Sequence, residues 1–175
     1  FERECAQLQE LMYRAAEADR ETLALLDGSF IISFAAQVAP ELQQRYARAA
    51  RAVLRCSAET GVPVIGYVDS SEARDVANLL RHVGGEADEP QISDARLLAS
   101  GLRWGDRTEF WVCARADRLG DETLTAHYRE VCICYLKATS HLPPARVELP
   151  RWLVEQGRAE RALDLLRAEC VVGLG

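Results

Sequence analysis

Asp27 directly follows an apolar run, and its carboxylate is a candidate ligand for a metal ion. The run covers residues 23–26, and Gly-Ser and a second apolar run follow Asp27. An ionised carboxylate at the end of a buried strand needs a compensating partner, because removing it from water is costly. A divalent cation is such a partner. Ordinary turn chemistry is the alternative, because aspartate favours turns and glycine accepts positive φ.

Two further aspartates occupy comparable positions. Asp69 directly follows the apolar segment 63–68, and Asp94 begins a helical pattern after an acidic loop at 84–90. If these positions meet at one edge of a sheet, three carboxylates would form a site for Mg²⁺ or Mn²⁺, which prefer carboxylate and water oxygens. Such ions activate water for phosphodiester cleavage. Helix capping is the alternative for Asp69 and for Asp94, which follows Ser93.

Basic residues with helical spacing could hold phosphates. Four arginines lie three, three and four residues apart and form one stripe along a predicted helix. A solvated helix face is the alternative interpretation. Lys137 and Arg146 are further candidate phosphate contacts, and Glu148 could pair with Arg146, join the metal site or face solvent. The arginines of the stripe are Arg45, Arg48, Arg51 and Arg55.

The elements that would position these residues alternate along the chain. Helical spacing and caps predict helices over 2–21, 40–59, 72–82, 94–100, 151–156 and 158–170. Apolar runs and alternation predict strands over 23–26, 30–36, 63–68, 108–114, 130–138 and 145–149. The first helix places Leu8, Leu11, Met12 and Ala15 on one side. This order indicates an α/β fold, a mixed sheet with helices on its faces.

Composition restricts the function further. The chain has 175 residues, enough for one domain, and a net charge of -6, so nucleic acid would have to meet a local basic patch. No apolar run is long enough to span a bilayer and no secretory signal is visible, which predicts a cytoplasmic protein without a membrane partner. The six cysteines lack zinc spacing and are expected to be buried apolar side chains.

Five short motifs, in order, resemble the NurA domain family of nucleases. The resemblance covers the chain from about residue 23 to its end. The motifs are Leu-Leu-Asp27-Gly-Ser, Val-Ile-Gly-Tyr-Val-Asp69, Ser-Asp94-Ala-Arg-Leu-Leu, Cys-Tyr135-Leu-Lys and Arg-Val-Glu148-Leu-Pro.

The resemblance implies a ribonuclease H-like fold whose sheet-edge acids hold Mn²⁺ or Mg²⁺. It implies 5′-to-3′ exonuclease and single-strand endonuclease activity in DNA end resection. Asp27 and Asp94 match acidic motifs of the family, and Tyr135 matches a tyrosine near the active site. Asp69 falls where the family usually has glutamate, which makes Glu72 a substitute candidate.

The resemblance also implies partners: single- and double-stranded DNA ends, a HerA-type hexameric ATPase that translocates DNA, and a second copy in a homodimer. The family's histidine-bearing C-terminal segment would follow Gly175, so we expect residues 1–175 to be one domain of a longer protein. A non-catalytic interaction or dimerisation module of the same fold is the alternative, using the first or the last helix. A nucleotide-binding protein is disfavoured, because the sequence has no Gly-rich phosphate loop.

Overall fold

A five-stranded mixed sheet forms the centre of the protein. The computed structural model describes residues 1–18, 21–32, 38–85, 91–115 and 125–173. The strand order is β1-β2-β5-β4-β3, with helices on both faces of the sheet. The strands are β1 (Ala24–Asp27), β2 (Val64–Val68), β3 (Trp111–Val112), β4 (Val131–Leu136) and β5 (Ala145–Pro150). The α/β class is confirmed, and this arrangement is compatible with a ribonuclease H-like fold.

Only one pair of neighbouring strands is parallel. β1 pairs with β2 in parallel, whereas β2 with β5, β5 with β4 and β4 with β3 are antiparallel. Every residue of β4 and of β5 is buried. The two strands are therefore covered on both faces. β4 accordingly has a continuous apolar run, whereas β5 alternates apolar residues with the buried charges of Arg146 and Glu148.

Helices cover the sheet and account for the amphipathic segments. Their N-terminal and C-terminal signals are clearest in α2, where Pro40 occupies the first turn and Gly61 ends the helix at φ 69°. A 3₁₀ helix (Ala126–Glu130) leads into β4. The helices are α1 (Glu2–Glu17), α2 (Pro40–Thr60), α3 (Asp75–Gly84), α4 (Asp94–Leu98), α5 (Arg151–Glu155) and α6 (Ala159–Gly173).

Two apolar clusters lie on opposite faces of the sheet. On the face we call the α2 face, Leu26 and Ile133 pack with residues of α1 and α2. On the other, the α6 face, the packing is between strands β2, β4 and β5 and the last two helices. Its fully or nearly fully buried members include Ile65, Cys132, Cys134, Leu136, Val147, Leu149, Leu153, Leu163 and Leu166. All six cysteines are free thiols and five are buried, as expected.

The predicted strand over 30–36 is wrong where the structure describes it. Residues 30–32 are irregular, and 33–36 lie outside the described residues. After β1 the chain turns at Gly28, whose φ of 147° suits glycine, and its amide donates to Leu26 and Tyr67 carbonyls at 2.9 and 3.1 Å. The ladder partner of β1 is therefore β2 and not a hairpin strand.

Other boundaries also differ from the prediction. α1 ends at Glu17, and Leu11 is 57% exposed although Leu8 and Met12 are buried. The strand expected over 108–114 is reduced to β3, because the preceding residues follow a turn and meet β4 at an isolated bridge from Arg107 to Leu136. Among the described residues, no helix combines the length and apolar character needed to cross a membrane.

The helix predicted over 72–82 begins later, at Asp75. Its N-cap residue is Arg74, so the capping interpretation of Asp69 is wrong. The predicted helix after Ser93 is shorter than expected, and the Ser93 side chain makes no capping hydrogen bond. Most of the acidic loop expected at 84–90 lies outside the described residues, because these omit 86–90.

Candidate active site

Asp27 and Asp69 lie at the carboxyl ends of neighbouring strands. Asp27 is the last residue of β1 and is in register with Tyr67, and Asp69 directly follows β2. Because β1 and β2 are parallel, both aspartates belong to the same edge of the sheet. Both are exposed, so two carboxylates at this edge are accessible to a substrate or an ion.

Asp94, in contrast, is fully buried and already has partners. Its Oδ1 accepts the Ala77 amide at 2.8 Å and its Oδ2 accepts the Val76 amide at 3.1 Å. The Tyr135 hydroxyl donates to Oδ2 at 2.7 Å. These amides belong to the first turn of α3, which lacks a capping side chain from its own N-cap residue. Asp94 therefore caps α3, and its negative charge also suits the helix dipole.

Asp94 and Asp27 belong to opposite faces of the sheet. Strand side chains alternate between faces, so Asp27, the last residue of β1, shares the α6 face with Leu25. The partner of Asp94, Tyr135, packs on the α2 face. No three His, Cys, Asp or Glu side chains of the described ranges are grouped to hold a metal. The described residues therefore do not gather the three predicted aspartates around one ion position, and a metal role for them stays a prediction.

A buried charged network occupies the α2 face beside this edge. Arg146 and Glu148, two residues apart on β5, have side chains only 4% and 0% exposed, and Arg146 Nε donates to Glu148 Oε1 at 2.7 Å. The guanidinium also forms an ion pair with Asp75 at the start of α3 and lies 3.4 Å from the Tyr135 hydroxyl. Of the three alternatives for Glu148, pairing with Arg146 is the one observed.

Burial and the charges of neighbouring side chains shift the pKa values of Arg146 and Tyr135 in opposite directions. Burial alone would lower the pKa of Arg146, but the Glu148 and Asp75 carboxylates outweigh it and raise the pKa above its usual value. Burial raises the pKa of Tyr135, the charge of Arg146 opposes that shift, and Asp94 adds to it. Tyr135 thus stays a neutral hydrogen-bond donor to Asp94. Tyr135, which the resemblance matches to a tyrosine near the active site, is buried and contacts Asp94, and its catalytic role stays a prediction.

A cavity of about 360 Å³ lies between the ends of β1 and β2 and this network. Arg115, which lines it, pairs with Asp75 at 3.2 Å. Arg115, Asp75 and Ser29 were not singled out as site residues by sequence reasoning, and no local motif marks the first two. The cavity is lined by Ser29, Ile31, Val68, Ser70, Ser71, Glu72, Ala73, Arg115, Arg146 and Glu148. Glu72, the substitute candidate for Asp69, is exposed there.

The arginine stripe lies at the opposite edge of the sheet. Arg48, Arg51 and Arg55 line a cavity of about 840 Å³ together with Pro150. In the strand register, Pro150 at the end of β5 is level with the first residue of β1, far from Asp27 at the end of that strand. Arg45 pairs with Glu2 at 2.8 Å and Arg55 with Glu59 at 3.7 Å. A DNA-binding role of these arginines stays a prediction.

The two other basic candidates are not exposed. Lys137 is 8% exposed, and its ammonium group donates to the Leu142 carbonyl. Arg146 is enclosed by Glu148, Asp75 and Tyr135. Both cations already satisfy local acceptors, so a phosphate would have to compete with those acceptors. Their DNA-binding role also stays a prediction.

The chain belongs to the NurA domain family, because the model of this family matches residues 1–174. NurA domain proteins are nucleases associated with HerA, so the coarse functional class expected from the motifs is confirmed. No curated protein matches the chain, and no solved structure does either.

Proposed function

We propose that this protein is a metal-dependent deoxyribonuclease that processes single- and double-stranded DNA ends together with a HerA-type hexameric ATPase. The observation that carries the proposal is the NurA match across residues 1–174. It covers every residue assigned above to the sheet edge, so the whole candidate site falls within the family's domain. The activity proposed is 5′-to-3′ exonuclease and single-strand endonuclease cleavage during end resection in the cytoplasm, by a homodimer.

Asp27 and Asp69 are the groups proposed to act at the substrate. Their exposure at one edge supports this, because a DNA backbone can reach both carboxylates without any rearrangement of the sheet. Tyr135 and Asp94 are buried behind them and hold the first turn of α3. In this arrangement they support the site from within, where DNA does not reach them.

Mn²⁺ or Mg²⁺ belongs to the proposal as the ion that the family resemblance implies. Two aspartates at the edge offer oxygen ligands of the kind these ions prefer. The Asp94 carboxylate already accepts the Val76 and Ala77 amides. The chemistry such an ion would supply is activation of water and stabilisation of the leaving oxygen.

Cleavage by the Asp27→Asn variant of the full-length protein tests the proposal. The measurement is release of label from 5′-labelled single- and double-stranded DNA with Mn²⁺, with Mg²⁺ and with a chelator. We expect wild-type cleavage with an added ion, none with the chelator, and a loss of about 10²-fold or more in Asp27→Asn, since charged groups at reacting centres contribute on that scale.

Asp164→Asn is the matched control. Asp164 is an exposed aspartate on α6 that pairs with Arg167, and the variant should cleave like the wild type. Far-ultraviolet circular dichroism confirms that both variants are folded. The proposal is wrong if the wild-type protein cleaves no DNA with either ion, with or without its HerA-type partner, or if Asp27→Asn cleaves normally.

A non-catalytic interaction module is the second candidate. It is favoured by one observation: within the described part of the chain, no three potential ligands are grouped around a metal position. This candidate predicts that the protein binds the ATPase but never cleaves DNA, and that Asp27→Asn leaves that binding unchanged. Co-purification with the ATPase, measured beside the cleavage assay, separates the two candidates.

A further inference from the structure

The Glu148 carboxylate binds the segment that directly follows Asp27. Its Oε2 accepts the Phe30 amide at 2.8 Å and the Ile31 amide at 3.2 Å, and the Ser29 hydroxyl lies 2.9 Å from each carboxylate oxygen. Arg146 Nε completes the set at 2.7 Å. Glu148 has no exposed surface, so these four groups replace its hydration entirely.

Strand β2, next to β5, leaves space for the same segment. Gly66 of β2 is in register with Glu148, and a Cβ at position 66 would lie 2.8 Å from the Gly28 carbonyl oxygen and 3.3 Å from the Phe30 ring. Only glycine therefore lets the segment cross β2 closely enough to reach Glu148. Space on β2 and an acceptor on β5 together fix the turn that begins at Asp27.

We propose that Glu148 is a positioning residue that fixes residues 28–31 and thereby holds Asp27 at the sheet edge. As far as cleavage is concerned, this inference rests on the proposed function. Glu148 does not touch substrate in this arrangement, because both of its oxygens face the turn and Arg146. A carboxylate buried solely for stability has little advantage over an apolar side chain, whereas one that accepts several amides fixes a backbone conformation.

Glu148→Gln in the full-length protein tests the inference through steady-state cleavage. Glutamine has the same shape, keeps one acceptor oxygen and removes the charge that Arg146 neutralises. We expect kcat to fall by roughly tenfold to a hundredfold, because small displacements of a reacting group have effects of that size. KM should change by less than about twofold, because Glu148 contributes no surface to DNA binding. Glu155→Gln, at an exposed glutamate of α5, should change neither constant.

Amide hydrogen exchange gives a measurement that needs no cleavage. In Glu148→Gln the amides of Phe30 and Ile31 should exchange faster than in the wild type, while those of α2 and α6 keep their protection. Ser29→Ala is the second variant, because it leaves the charge pair intact and removes only the hydroxyl. It should show a smaller increase in exchange at the same two amides and a smaller loss of kcat.

The results separate the two proposals. Unchanged exchange at Phe30 and Ile31 in both variants, or wild-type kcat in a folded Glu148→Gln protein, overturns the positioning role. If Glu148→Gln does not fold, the same two measurements on Ser29→Ala decide. If the wild-type protein cleaves no DNA, the proposed function fails, and the exchange measurement still decides whether Glu148 holds the turn.

Discussion

The two faces of the central sheet are covered by different kinds of side chain. The α6 face is covered by apolar and thiol side chains from β2, β4, β5, α5 and α6. The α2 face combines an apolar cluster with a buried network of Arg146, Glu148, Tyr135 and Asp94. Apolar packing tolerates replacements of similar shape, whereas a polar network depends on each donor and acceptor. We therefore expect the α2 face to be more sensitive than the α6 face to the loss of a single side-chain group.

The largest difference between the faces is expected for Arg146→Met, which keeps much of the side chain's length and removes its charge. Glu148 would remain buried without its counter-charge, and such a change costs about 3–5 kcal/mol in the free energy of unfolding. Urea unfolding followed by circular dichroism measures it. Arg151→Met, at an arginine 47% exposed, is the control and should unfold near the wild-type midpoint. Equal midpoints for the two variants would contradict the proposed contrast.

An intermediate effect is expected from two neighbours on β4 that face opposite sides. Tyr135→Phe removes the donor to Asp94, and bonds to charged groups contribute about 1.5–3 kcal/mol. Leu136→Met, a volume-conserving change on the α6 face, should cost less than about 1.5 kcal/mol. The unfolding free energies of both variants provide the comparison. A larger loss for Leu136→Met than for Tyr135→Phe would contradict the expected difference between the two faces.

The smallest effect is expected from cysteine ionisation, which changes the free energy of unfolding only in alkaline solution. Burial raises the pKa of Cys134 on the α6 face from 9.0 to about 12, and that of Cys113 on the α2 face to about 11. Above pH 9 the unfolded chain loses protons that the native protein keeps, so the free energy of unfolding should fall as pH rises from 9 to 12.

The cysteine prediction is measured as urea midpoints between pH 7 and pH 11.5 at constant ionic strength. Cys134→Ala and Cys113→Ala should each flatten the alkaline decline, and Cys134→Ala should do so over the wider pH range. A wild-type midpoint independent of pH over this range would refute the role of burial.

The fold was largely predictable because apolar periodicity and local caps determine most of it. β2, β4, β5 and α2 lie close to their predicted bounds. β2 and β4 have apolar runs, β5 alternates apolar and charged residues up to Pro150, and α2 has a proline at its start and a glycine at its end. The strand expected after Gly28 was wrong because residues 29–31 bind Glu148, more than a hundred positions away, in place of a ladder partner. A local pattern contains no information about such a distant acceptor.

The candidate site was predictable only in part, for a related reason. The sequence identifies Asp27 and Asp69 as strand-end acids, and the parallel pairing of β1 and β2 places them at one edge. It does not show that Asp94 caps α3, because the Val76 and Ala77 amides precede it by 18 and 17 residues. Nor does any motif indicate that Arg146 joins Glu148 to Asp75.

The strands at the two borders of the sheet have a consequence for assembly. β1 has 4 residues and β3 has 2, and these are the outermost strands of the described sheet. Short borders offer few unpaired amides and carbonyls to a second chain, which disfavours growth of the sheet from one molecule into the next. Two copies of this protein would therefore associate through helices or loops rather than through a shared ladder.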